Sequence, residues 1–461
     1  MTMSAQVIDV EQLVEGKKFG SFHVAVTALC FLVMVIDGFN INVAGFAGPG
    51  LMKQFHIDHA TLGVLFSAGL FAGLLGTPIF GYLADRFGRK RVAIWGTAFF
   101  GVFTLAALVA TSFPEMIVLR FFAGAGAAGV MPTTVALASE FAPKPFRATM
   151  VIVMLVGSTM GGVVVGLVAS AFIPTYGWQI LFWIAGAGPI LIAVLQSFTL
   201  PESVHYLITQ PHRRAELIKV VRLLDADLAI GDDTRFVVSG HQSKTRMKMS
   251  VLFAGRLAVL TPLIFVANLV SLMVFYFAIS WLPTVLAGTT VGLAGASLAT
   301  SLFLLGGSLG GLLIMRPLDW FGFLPIPIGF LLGVPALICV GVVGLGAPAL
   351  LTVIFLAGVC LYGVQFGLIA MEGPLFPPPV RGRGLGLCFA MARIGATIGP
   401  FLGGVLIARH LPLQDLFIVF SIPLAVGACV SFIITPLYRR QVRAVTHQAV
   451  VHPDIVAVAS E

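Results

Sequence analysis

GYLADRFGRKR, residues 81–91, sets four cations and one acid in a short turn between two long apolar runs. Lys and Arg gathered beside helix ends hold a loop on the cytoplasmic face, so this turn is expected there. A weaker copy, PLDWFG, stands at residues 317–322, where Asp85, Phe87 and Gly88 recur as Asp319, Phe321 and Gly322 at an offset of 234. Pro143 and Arg147 recur at the same offset as Pro377 and Arg381. Gln179, Leu181 and Phe182 recur one residue further on, as Gln414, Leu416 and Phe417. One near-constant offset across three sets predicts two copies of a six-helix unit. Parallel repeats around a central site are a transporter architecture.

The composition demands lipid around most of the surface. Only 10% of the 461 residues are charged and 58% are hydrophobic, with a mean hydropathy of +1.03; a soluble domain carries about 25% charged residues. Twelve apolar spans are read between residues 23 and 437, most of them near the roughly 20 residues that cross a bilayer. The expected fold is therefore an all-α membrane protein with twelve transmembrane helices in two pseudo-symmetric bundles. Residues 1–22 form an N-terminal tail, 23–200 and 251–437 the bundles, 201–250 a linker and 438–461 a loose tail. The net charge of +8 falls mostly on one side of this arrangement, with Lys53 and Arg409 nearly alone on the other. That bias places both termini in the cytoplasm, and no basic patch interleaved with aromatics suggests nucleic acid. The first twenty residues lack the pattern of a signal peptide. Residues 215–224 suit a short amphipathic helix lying on the membrane face.

Polar groups at membrane depth are the candidate site. Asp37, in LVMVIDGFNINVAGF, lies about 21 Å along the first span, near the bilayer middle. A carboxylate there costs a few kcal/mol unless it is paired, protonated or wetted. That makes Asp37 a candidate proton carrier, or else a structural bridge to another helix. Asn40 is one turn away on the same face. Arg120 in the fourth span and Arg393 in the eleventh stay charged and hold carboxylates through paired hydrogen bonds. They either contact an organic anion or pair with a protein acid such as Asp37 or Glu372. Tyr276, Trp281 and Gln365 are candidate lining residues, with Trp281 equally suited to an interfacial anchor. The five cysteines show no metal or disulfide spacing, and no cofactor is expected. No phosphate-cradling loop with Lys-Ser or Lys-Thr, no nucleophile elbow and no metal-ligand cluster is found, so neither an enzyme nor an ATP-driven pump is expected.

GYLADRFGRKR resembles the signature loop of the major facilitator superfamily, and Arg120 with Gly124 and Gly126 resembles its fourth-helix signature. DGFNINVAGFAGPGL (37–51), FAPKPFR (141–147), PESVHYL (201–207), SWLPTVL (280–286) and RIGATIGPFLGG (393–404) together resemble the aromatic acid:proton symporter branch. The resemblance implies import of a benzoate- or hydroxybenzoate-like acid with protons, by a monomer in the cell inner membrane. It assigns Asp37 and Arg120 to substrate or proton handling and makes Arg393 a cavity residue. It assigns Asp85, Arg89, Glu140 and Arg147 to a cytoplasmic gate, to which Gly81, Asp319 and Arg381 add the loop and its second copy; Glu140 is also a proton-coupling candidate. The alternatives are another organic anion (a muconate, a phthalate or an aliphatic acid), drug export, or a non-transporting sensor of aromatic acids. The branch usually carries Asp-Gly-x-Asp in the first helix, and here the second acid is Asn40. The second loop has Trp320 and few cations, so the gate is expected to be asymmetric.

Overall fold

The structure, a computed structural model, describes residues 7–10, 20–143, 146–224, 234–237, 249–289, 291–342, 346–377 and 380–451. After a short strand β1 (Val7–Asp9) come α1 (Ser21–Phe55), α2 (His59–Phe87), α3 (Arg89–Ala106), α4 (Phe113–Glu140), α5 (Arg147–Tyr176) and α6 (Gln179–Thr199). The linker holds α7 (Val204–Ile208), α8 (Arg214–Leu224) and β2 (Arg235–Val237). The second half is α9 (Leu257–Ala287), α10 (Gly292–Phe321), α11 (Pro325–Val340), α12 (Ala347–Leu375), α13 (Arg381–Ala408) and α14 (Leu413–Val451). Eleven of these helices are long and apolar enough to cross a bilayer. The twelfth, α11, has 16 residues and rises about 24 Å; it is shorter than the sequence suggests. In contrast, α14 continues to Val451, where a loose tail is expected after 437.

Packing repeats as the loops do. The pairs α1·α5, α2·α4, α3·α4, α3·α6 and α1·α6 of the first half return as α9·α13, α10·α12, α11·α12, α11·α14 and α9·α14. Lipid tails provide no hydrophobic push between helices, so close backbone approach through small residues holds them together. Gly76, Gly124 and Gly161 each press on a carbonyl of a neighbouring helix, and Gly310, Gly358 and Gly395 do the same. The offset is again 234. A Cβ on any of the six would lie 2.0–2.2 Å from that carbonyl oxygen. Gly88 and Gly322, the last matched residues of the two signature loops, both take positive φ, 100° and 64°. Glycine adopts that conformation at no steric cost, and each ends one helix so that the next can reverse.

Three seams join the halves: α1 with α9, α2 with α13 and α5 with α10. The α2–α13 seam runs from Gly63 against Pro400 and Gly404, through Ser67 donating to the Thr397 carbonyl at 2.7 Å, to Gly73 beside Arg393. Further along these antiparallel helices, Gly81, Gly382 and Gly386 have nothing within 4 Å of a Cβ position. The α1–α9 seam lies at Gly45 and Gly48, against Ile279, Ser280 and Thr284. The halves therefore touch at the end away from the linker and part toward the linker end.

The linker packs on the first half. Leu217, Val220 and Val221 of α8 are buried with Val10, Val204 and Leu207 against α1, α4 and α6 residues. The expected amphipathic helix is present, but its apolar face covers protein rather than a membrane surface. β1 pairs in parallel with β2, Val7 opposite Arg235. Asp225, Asp227, Asp232, Asp233, Lys244, Arg246 and Lys248 lie outside the described residues.

Candidate functional site

The helices bring Asp37, Asn40, Arg120, Tyr276 and Arg393 to one void between the halves. Asp37 and Asn40 come from α1, Arg120 from α4, Tyr276 from α9 and Arg393 from α13. Phe66, Met131 and Ile279 supply apolar wall.

The two arginines differ. Arg120 is buried and already engaged: Nη1 donates to Asn40 Oδ1 at 2.9 Å and Nη2 to the Asn40 carbonyl at 3.2 Å. Asn40 in turn donates through Nδ2 to Thr104 Oγ1 at 2.8 Å, and the Phe182 ring lies 5.7 Å from the Arg120 guanidinium carbon. Arg393 is only half-buried. Its guanidinium lies 5.0 Å from the Phe389 ring, and among the described residues no group accepts a hydrogen bond from it. Asp37 is buried, and its Oδ1 lacks a hydrogen-bond partner. Asp37, Tyr276 and Arg393 are near enough to interact electrostatically. One acid and one unengaged cation thus share the void.

Two expected lining residues lie elsewhere. The Trp281 indole is buried in the seam away from the linker, where Nε1 donates to the Pro400 carbonyl at 2.9 Å and the ring packs on Phe66. It is neither a chamber wall nor an interfacial anchor, because both its faces are taken by α2 and α13. Gln365, on α12, is buried beyond the void, with Oε1 unpartnered. Glu372 pairs with neither arginine; it accepts from Asn268 and Cys388.

At the linker end, Arg89 contacts Glu140. Asp85 and Asp319 are exposed. Gly81 and Arg381 are exposed too. Arg147 begins α5, and its side chain lies outside the described residues. Four participants have no role in the sequence reading. Ser203 Oγ donates to Glu140 Oε2 at 2.7 Å, and His205 Nδ1 lies 3.3 Å from the same oxygen. Glu202 accepts from the backbone N–H groups of Lys90 and Ser203 at 2.9 and 3.0 Å, with Arg213 at 3.8 Å. Burial pushes the Glu202 carboxyl above its ordinary value, while those two N–H groups and Arg213 pull it down. The signal was the stretch PESVHYL itself, which places an acid, a hydroxyl and an imidazole directly after the sixth span.

Residues 30–371 match the Major Facilitator Superfamily. The chain is 30% identical over 423 residues to the 4-hydroxybenzoate transporter PcaK of Pseudomonas aeruginosa, covering 91% of this chain and 94% of that one. It is 30% identical over 437 residues to the benzoate transport protein of Acinetobacter baylyi, covering 93% and 92%. The crystal structure of a bacterial homologue of the human lysosomal transporter Spinster shares the fold, with a TM-score of 0.70 at 16% identity over 92% of this chain and 99% of that one. A D-xylose-proton symporter does so at 0.68 and 16%, over 90% and 97%. Matching loops, mirrored helix pairs and a polar void between two bundles agree with these likenesses: the chain belongs to the Major Facilitator Superfamily and groups there with the aromatic-acid transporters.

Proposed function

We propose that the protein is a proton-coupled symporter that imports an aromatic carboxylate by alternating access. It works as a monomer in the cell inner membrane, with the linker and both termini in the cytoplasm. The observation that carries this reading is the pairing in one void of a half-buried guanidinium without a hydrogen-bond acceptor and a buried carboxyl without a donor. An anion docks on Arg393 against Phe66 and Tyr276, and Asp37 carries the proton. On this orientation the void opens to the cytoplasm, and the seams at Gly45, Gly63 and Trp281 close the outer face. The relatives named for 4-hydroxybenzoate and benzoate support a ring-bearing acid.

The test uses purified protein in liposomes with acid outside and labelled 4-hydroxybenzoate and benzoate. Wild type is expected to accumulate one of them, and a protonophore to abolish the accumulation. Asp37→Asn should still bind but should fall to the protonophore level. Undiminished accumulation by Asp37→Asn refutes the assignment of the proton to Asp37. Uptake indifferent to the pH gradient in wild type refutes symport.

A further inference from the structure

Glu372 is a second acid inside the bundle that the chamber does not use. It stands on α12 three residues from the helix end nearest the linker, and it is 4% exposed. Asn268 Nδ2 of α9 donates to its Oε1, and the Cys388 thiol of α13 is its other hydrogen-bond partner. Both partners are neutral. The adjoining Met371 accepts from the Tyr438 hydroxyl of α14 at 3.7 Å. Arg381 at the start of α13 is exposed and donates to the Phe376 carbonyl instead. A carboxylate in a dry interior is costly without a countercharge, and a group that must lose its charge to stay buried is built to bind a proton.

A line of side chains on α9 and α12 leads from the chamber toward Glu372. Tyr276 lines the void, and its neighbour Phe275 stacks on Tyr362 of α12 at 4.4 Å. From Tyr362 the same face of α12 carries Gln365 one turn on and Glu372 two turns beyond that. The facing stretch of α9 carries Ser271 and then Asn268. Ser271 Oγ and Gln365 Oε1 are buried without partners, so two polar atoms lie unused between the chamber and Glu372. Apolar side chains would fill this interior at less cost if packing were the only demand.

We propose that Glu372 is a second proton-binding site of the transport cycle, reached from the chamber between α9 and α12 and discharging toward the linker end. The proton passes from a carrier in the chamber to the Glu372 carboxylate and then to water, with no change of oxidation state. This rests on the symport reading above. The site also supplies an inner acid that Asn40, in place of the branch's second carboxyl, does not.

The decisive comparison is between labelled-solute exchange at equal pH, which needs no net proton movement, and accumulation driven by a pH gradient, both in liposomes with 4-hydroxybenzoate or benzoate. Glu372→Gln should retain exchange and lose accumulation. Accumulation equal to wild type in Glu372→Gln overturns the proposal while leaving symport intact. A wild type that ignores the gradient refutes symport, and this proposal with it. If Glu372→Gln loses exchange as well, Glu372→Asp decides. Accumulation with a shifted pH midpoint supports the proposal; an unshifted midpoint, or no transport, overturns it.

Discussion

Replacing Arg393 by Gln tests where the anion docks. The described groups near this guanidinium include the Phe389 face at 5.0 Å, Gly73 of α2, and Asp37, Tyr276 and Tyr362. None of them accepts a hydrogen bond from it, so Arg393→Gln removes no protein contact of that kind and should leave the fold's melting temperature nearly unchanged. Binding is another matter. A hydrogen bond to a charged group contributes about 1.5–3 kcal/mol. Losing one such contact to a carboxylate weakens the dissociation constant by roughly 10- to 150-fold at 1.4 kcal/mol per decade. Arg120→Gln provides the contrast, since it breaks two donations to Asn40 and should lower the melting temperature as well. Arg381→Gln, an exposed cation at the linker end, should leave the affinity unchanged. The assay is equilibrium binding of labelled 4-hydroxybenzoate and benzoate to the purified protein, read beside thermal unfolding in the same detergent. Wild-type affinity in Arg393→Gln, with affinity lost only in Arg120→Gln, would refute the assignment and move the anion to the cation that Asn40 holds.

Two further outcomes follow from packing and from the linker. Gly161→Ala and Gly395→Ala each put a Cβ 2.0 Å from a carbonyl oxygen, and overpacking of this kind costs about 1–3 kcal/mol or more. Both should lower the melting temperature by similar amounts because they hold matched repeat positions, while Gly382→Ala, which meets open space, should not; equal stability of all three would sink the repeat argument. Glu202→Ala leaves the Lys90 and Ser203 N–H groups without their acceptor, at about 1–3 kcal/mol for an orphaned buried donor, and should raise hydrogen exchange across residues 204–224. Because the folded Glu202 carboxyl sits above its ordinary value, its contribution is fully present below that ordinary value and declines as pH rises through the folded one. Acidification should therefore not loosen the linker through Glu202. Exchange over 204–224 in Glu202→Gln should separate from wild type toward neutral pH and converge with it in acid; the opposite trend would exclude this role.

Local signals carried the fold because the repeat writes the same physical demand twice. Gly88 and Gly322 both reverse the chain at positive φ, and the turn could be matched by residue type alone. The close-approach glycines obey the same offset, but a list of 52 glycines does not show which ones face a carbonyl. Asp37, Arg120 and Arg393 stood out because a charge in an apolar span is costly wherever it points. Trp281 did not yield to the same reasoning: an aromatic is equally at ease against lipid, a seam or a cavity, and only the third dimension separates these. The linker contacts were hidden for another reason. Glu202 meets the first turn of α3 across 112 positions of chain, and no periodicity encodes that distance.

The arrangement of charges also bears on how proton and anion could be coupled. Arg120 keeps its hydrogen bonds with a neutral amide, so its charge is oriented but not cancelled. Among the described residues, Asp37 is the acid that interacts with Arg393. That interaction crosses the void, so an ionised Asp37 and an incoming carboxylate compete for one cation. In the proposed cycle, a proton on Asp37 removes that competition, and an anion on Arg393 removes the attraction that favours the ionised acid. Proton and anion then bind better together than apart, and the advantage is reciprocal by linkage. No relay across the molecule is required for this part of coupling, since both ligands act on one guanidinium. Arg393→Gln should accordingly remove the pH dependence of binding as well as most of the affinity, whereas a substitution that merely narrowed the void would weaken binding equally at every pH.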